Sequence, residues 1–406
     1  MSTLQGDPRL IQERSGLAGL LAGYQRRVRQ GDVGQLPVVV GLAAIWGIFF
    51  WSTNGVFFRP ENLVNLSLQM AAVGTIAVGV VFVLLLGEID LTVGVVSGLC
   101  AALMAVLNVK LGVPGVVAVL AGLGAGVLIG LVHGFWITRF RIPSFVVTLA
   151  GLIGWQGALL FVLGSTGTIN LRDPFITALA GTFFKGTVGW AIGAILVLYL
   201  ASSAAIGRRR RLAAGLPAES MAALVVRIAV PAIAIAVGIW ALDQERGLPL
   251  SLVLLVGLIV FMDYVVRRTR FGRMIFAVGG NAEAARRAGI PVDRVRIAVF
   301  VIASTFAAWG GVLAASRLLA VNQSAGSGDV LLNAIASAVI GGTSLFGGRG
   351  TVWAALLGIL VIQSISNGMD LLSFEPSVKQ MITGVVLLAA VTIDAIARRG
   401  REAAGR

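Results

Sequence analysis

Long, nearly uninterrupted apolar runs alternate with short polar stretches along this chain. They fall at 37–57, 63–87, 91–109, 115–138, 143–164, 186–206, 222–242, 248–266, 297–320, 331–346, 351–369 and 377–396. A helix needs roughly 20 apolar residues to cross a hydrocarbon layer of roughly 30 Å, so each run reads as a crossing. The pattern predicts an all-α, polytopic membrane protein with about 12 transmembrane helices over 37–396. Polar tails at 1–36 and 397–406 flank it. The first apolar run has no small-residue cleavage site after it and reads as a retained helix.

Two of these stretches are interrupted from within. The region 63–109 is broken only by LLLGEIDLTVG at 84–94, and 331–369 by GGTSLFGGRG at 341–350. Irregular backbone at membrane depth is tolerated only where protein or a water-filled cavity satisfies it. Both breaks carry a G-x-x-x-L-x-x-G pattern. A remnant of an internal repeat and coincidence in a glycine-rich chain account for it equally well.

Composition agrees with the pattern. Hydrophobic residues make up 57% of the 406 and charged residues only 12%, against about 25% in soluble domains. The formal net charge of +14 comes from arginine, since the only lysines are Lys110, Lys185 and Lys379. Such a balance invites a nucleic-acid reading, but the arginines sit in short clusters between apolar runs, as the positive-inside rule requires. With twelve crossings and a cytoplasmic N-terminus, the clusters at 26–29, 139–141, 208–211, 267–273, 286–287 and 398–399 all face the cytoplasm. Both termini are then cytoplasmic, and one crossing more or fewer in the first half would turn the later clusters outward.

Several chemistries are excluded. None of the three lysines sits in a Gly-Lys-Ser/Thr phosphate loop, so the chain does not bind ATP in that way. One cysteine, Cys100, and one histidine, His133, allow no internal disulfide, Cys/His metal cluster or histidine-based triad, and both read as packing residues. No enzymatic site and no cofactor of its own is expected. Glu88, Asp90, Asp329 and Asp370 lie at run ends or breaks and do not form an ion-coupling network within the spans.

The compact polar stretch is GRMIFAVGGNAEAARRAGIPVDRVR, 272–296. Asn281 suits an N-cap, Glu283 the first turn, Arg286 and Arg287 the last, Gly289 the C-cap position, with Pro291 beyond. That is a helix of about two turns, below the roughly 12–15 residues that are marginal alone in water. It needs something to dock on: its own neighbouring loops, or a groove on a cytoplasmic partner.

EAARRAG at 283–289 has the E-A-A-x-x-x-G spacing of the coupling loop in ABC importer permeases. The surrounding segment resembles sugar permeases of the ribose, xylose and arabinose type, as do GEIDLTVGVVSG (87–98), IPSFVVTLAGL (142–152) and LNAIASAVIGGTSLFGGRGTVWAALLG (332–358). The resemblance spans 60–165 and 248–396. It implies a cytoplasmic ABC ATPase that binds the ATP, an extracytoplasmic sugar-binding protein, a second permease copy and a bacterial inner membrane. It also implies a coupling loop at 267–296 that meets the ATPase through Glu283, Ala284 and Ala285, with Gly289 shaping the turn. The runs within 186–242, joined by four arginines, look like an added helical hairpin. With NGMDLL at 367–372 they are similar to the longer xylose-type permeases, which favours xylose or another pentose. Importers of branched-chain amino acids, nucleosides or a signalling furanone share the architecture, and a self-sufficient secondary transporter is the reading from another class.

A neutral sugar calls for sparse hydrogen-bonding groups along its path. The candidates are Glu88, Asp90, Asn333 and Asn367. Asp90 fits equally as a cap for the helix that follows, through the amide of Thr92 or Val93. Interhelical hydrogen bonding explains Asn333, Gln363 and Asn367 as well as a path does, and Trp353 suits an interface belt or a pore.

Overall fold

The structure, a computed structural model, describes residues 36–403 apart from Pro217 and Glu219. The expected N-terminal tail up to residue 35 and residues 404–406 lie outside the described residues. In chain order the helices are α1 (Leu36–Ser52), α2 (Pro60–Leu85), α3 (Val93–Ala105, continued by a π-turn over Val106–Lys110), α4 (Gly115–Arg139) and α5 (Ser144–Leu163). Then follow α6 (Pro174–Gly181), α7 (Thr187–Ala213), α8 (Met221–Asp243), α9 (Leu250–Arg268) and α10 (Arg270–Gly280). The last are α11 (Ala282–Arg287), α12 (Val292–Leu318), α13 (Gly328–Ile340), α14 (Trp353–Leu371) and α15 (Pro376–Ala403).

Every apolar run of the sequence lies on one of these helices. Among the described residues, 9 helices are long and apolar enough to cross a membrane. Helices α1 and α13 are apolar but shorter, at 17 and 13 residues. The run at 331–346 thus differs from its expected form. Helix α13 stops at Ile340 because Gly342, at φ +102°, turns the chain. Thirteen residues rise only about 20 Å, short of a full crossing. The expected breaks are present, at 86–92 and 341–352. Helix α6 was not foreseen; its 8 residues follow the N-cap Asp173, whose carboxylate accepts from the amides of Phe175 and Ile176.

Two compact units divide the described chain. The larger holds 36–183 and Pro249–Ala395. Its centre is α2, whose apolar window is 83% buried, and α12, at 61%; α5, at 17%, lies on the outside. Helix α4 carries Gly126, Gly130 and Gly134 at every fourth position, one face of a helix. A Cβ at Gly126 would stand 2.8 Å from the Ser304 carbonyl, at Gly130 2.5 Å from the Val301 Cα, and at Gly134 2.7 Å from the Ile297 Cα. With no side chains between them, α4 and α12 meet backbone to backbone, the dispersion-driven packing that membrane helices favour. Past the end of α12, β2 (Ala320–Asn322) pairs antiparallel with β1 (Thr168–Asn170), Ile169 opposite Val321.

Among the described residues the smaller unit holds Phe184–Leu248 and 396–403. Its helices α7 and α8 pack on each other where Gly193 leaves room for Ile239. At one end the Asp243 carboxylate accepts from the Gly186 amide at 2.6 Å, and Lys185 Nζ donates to the Glu245 carbonyl at 2.7 Å. At the other end α7 finishes on Arg208–Arg211. Its apolar sides stand open, a surface that bilayer covers.

Candidate functional site

Local chemistry makes α11. The Asn281 side chain accepts from the Ala284 amide at 2.9 Å and starts the helix. At the other end Gly289, at φ +81°, donates to the Arg286 carbonyl, and Ile290 donates to the Ala285 carbonyl, both at 3.0 Å. These two bonds form a Schellman cap, which needs a left-handed residue at its centre. Glu283 pairs with Arg287 at 3.2 Å and Arg286 at 3.6 Å. Glu283 and Ala284 are exposed, whereas Ala285 is buried against the core.

The chain on either side of the helix meets the break at 86–92 or Leu85 just before it. On its N-terminal side, Gly279 lies one residue before the end of α10. A Cβ there would overlap the Leu85 carbonyl oxygen, and the same oxygen accepts from the Gly348 amide at 2.9 Å. Gly347 of the second break would in turn bring a Cβ within 2.6 Å of the Gly279 carbonyl and 2.8 Å of the Gly87 nitrogen. Three glycine-bearing turns, far apart in sequence, thus share one junction directly before Asn281. On the C-terminal side, Arg296 of α12 meets Glu88 at 3.0 Å. Their side chains are 27% and 14% exposed. A polar cavity of ≈ 270 Å³ lies beside the pair, lined also by Arg141, Arg286 and Asp293.

From the break, contacts lead inward. Asp90 Oδ1 accepts from the Thr92 amide at 2.8 Å and the Thr92 hydroxyl at 2.6 Å, so the carboxylate shapes the start of α3 as the sequence allowed. Ile89 donates its amide to Ser144 Oγ at 3.2 Å, tying the break to α5. Buried His133 on α4 accepts at Nε2 from Trp155 Nε1 at 2.9 Å.

The other sequence candidates stand elsewhere. Asn367 is 1% exposed and accepts from Asn62 Nδ2 at 2.8 Å, joining α14 to α2. Gln363 donates to Gln69 at 2.8 Å across the same pair of helices. Trp353 packs partly buried against the core, and Asn333 is half-buried on α13. Sequence reasoning missed Arg296, Ser144 and the Gly279 junction; the only local signal was an arginine close behind the capped helix. It also missed a cavity of ≈ 690 Å³ beside β1, lined by Asn108, Lys110, Asn170 and Arg172.

The family described as branched-chain amino acid transport system / permease component matches residues 62–391. The xylose transport system permease protein of Escherichia coli strain K12 is 38% identical over 367 residues, covering 90% of this chain and 93% of that protein. Its Haemophilus influenzae counterpart is 32% identical, over 88% of this chain and 95% of that protein. The L-arabinose ABC transporter permease protein of Azospirillum brasilense is 31% identical, over 92% of each chain. The resemblance to sugar permeases read from the motifs agrees with these relatives. No solved structure matches the chain.

Proposed function

We infer that this chain, which belongs to the family described as branched-chain amino acid transport system / permease component, is the membrane subunit of an ABC importer that moves a monosaccharide. Xylose or another pentose is the first choice. The 38% identity to a xylose permease over 90% of the chain carries this reading, and the capped six-residue helix α11 supports the ABC mechanism. In it the chain crosses a bacterial inner membrane twelve times, the short α13 making its crossing together with the polar segment that leads into it, with both termini cytoplasmic. It works as a pair of copies, receives sugar from an extracytoplasmic binding protein, and takes its energy from a separate ATPase that binds the ATP.

The ATPase meets α11 through Glu283 and Ala284, while Ala285, turned inward, anchors the helix to the permease. A push on α11 reaches the 86–92 break through Gly279 and Leu85 before the helix, and through Arg296 and Glu88 behind it. The break in turn holds α3, α5 and the surroundings of His133. Glu88 and Asp90 then act first in transmission, Asn333 stays a path position, and Asn367 holds α14 to α2.

The test is uptake by proteoliposomes holding the permease with its partner ATPase and binding protein. ATP-dependent uptake of labelled xylose, stronger than of ribose or leucine, is expected. The family description favours leucine as the second reading, and leucine uptake without sugar uptake would establish that one instead.

A further inference from the structure

Between β2 and α13 the chain reads Asn322-Gln323-Ser324-Ala325-Gly326-Ser327, with no charged residue. Its contacts place it inside the membrane. A Cβ at Gly98 of α3 would overlap the Ala325 carbonyl, and one at Gly94 would stand 2.7 Å from the Gly326 carbonyl. Depth follows from α12, where a Cβ at Gly311 would overlap the carbonyl of Ser97. Gly311 lies seven residues before Leu318, about 10 Å along the helix at 1.5 Å per residue. Gly94, three residues beyond Ser97, lies about 5 Å deeper. The loop is therefore about 10–15 Å in from the end of α12. Even with an overhang of about 5 Å it sits within the roughly 30 Å of hydrocarbon.

At that depth the loop has little backbone pairing of its own: Ala325 donates to Asn322 and Ser327 to Ser324, both at 3.0 Å. Asn322, Gln323, Ser324 and Ser327 are nevertheless exposed. Lipid tails do not accept exposed amides, hydroxyls and irregular backbone, so the face they make needs water or another polar surface. The Asn322 carboxamide oxygen is occupied by the Ser324 amide at 3.0 Å. The side chains of Gln323, Ser324 and Ser327 offer neutral groups that both donate and accept, the chemistry a polyhydroxylated, uncharged molecule matches.

We propose that Gln323, Ser324 and Ser327 line a hydrated passage at mid-membrane and hydrogen-bond the hydroxyls of the passing monosaccharide. The inference rests on the sugar-importer reading and names a site for its substrate. The test uses the reconstituted complex after Cys100→Ala removes the one native cysteine, which is fully buried. Ser324→Cys, Ser327→Cys and, as a lipid-facing control, Leu128→Cys (64% exposed) are treated with a charged methanethiosulfonate, which reacts with a thiolate formed in water. Labelling at 324 and 327 should be about tenfold or more faster than at 128, because thiolate does not form in an apolar setting. Xylose should slow it. Gln323→Ala should raise the uptake KM by about threefold or more, the loss of one neutral hydrogen bond, at wild-type membrane abundance. Cysteines at 324 and 327 as unreactive as 128, or recovered only as disulfides between two copies, would overturn the proposal while wild-type sugar uptake stood. Failure of wild-type sugar uptake would instead reject the parent reading.

Discussion

Replacing Glu88 by Gln removes one side of the bridge between α12 and the break. At 3.0 Å the Coulomb attraction is about 5 kcal/mol at an effective dielectric near 20. Desolvation offsets most of it. Removing one partner of a pair this enclosed costs about 1–3 kcal/mol, between the exposed and the fully buried cases. If that energy is drawn on when the break follows α11, a loss of 2 kcal/mol corresponds to about 30-fold in the coupled step. The cavity beside the pair allows a stricter variant. Arg141, Arg286 and Arg296 against Glu88 and Asp293 give +3 − 2 = +1. Glu88→Arg makes it +3, Arg296→Glu makes it −1, and the double swap restores +1. The assay is sugar transported per ATP hydrolysed in proteoliposomes, with membrane abundance as control. Each single variant should hydrolyse ATP but transport poorly, and the double swap should regain much of the ratio. Single variants with a wild-type ratio, or a double swap no better than the worse single, would refute the transmission role.

Three further outcomes follow from the geometry. Gly279→Ala should damage folding or coupling while Gly280→Ala next to it is tolerated, because only the first Cβ meets backbone and nothing lies within 4 Å of the second; abundance and ATPase stimulation of the two variants decide it. Gly289→Val should cost about 1–2 kcal/mol from its positive φ alone, since its Cβ would project into open space; reduced transport at normal abundance is expected, and unimpaired transport would remove Gly289 from the coupling element. Asp90→Asn keeps an oxygen for the Thr92 amide and hydroxyl and should retain membrane abundance, whereas Asp90→Ala should lose it; equal abundance would mean the start of α3 does not depend on this cap.

How legible each part was in the sequence depended on how local its causes are. The apolar runs and helix α11 are local matters: hydropathy over about 20 residues marks the first. For the second, Asn281 and Gly289 each act on carbonyls and amides within five positions. The glycines of 341–350 marked a break for the same reason. Helix α6 was missed because 8 residues are too few for a hydropathy signal. The Glu88–Arg296 bridge joins residues 208 positions apart, and nothing near either one names its partner. Residues 322–327 drew no reading from the sequence, for a subtler reason. Polarity says that a segment meets water or protein, and it leaves the depth of that water open. Only the close approach of Ala325 and Gly326 to α3 supplied the depth.

The contact between Gly279 and Leu85 has one more consequence. Two packed side chains absorb small movements by changing rotamer, so a linkage built from them has slack. Here the meeting surfaces are main chain on main chain, with the Leu85 oxygen seated where a side chain would otherwise be and held as well by the Gly348 amide. Main chain within a helix end has no alternative well a fraction of an ångström away. Under the coupling proposed above, a shift of Asn281 would reach Leu85, at the edge of the break, with little lost motion. The same fit leaves no space for a side chain at residue 279, so under that coupling the stroke at this point would be set by backbone geometry.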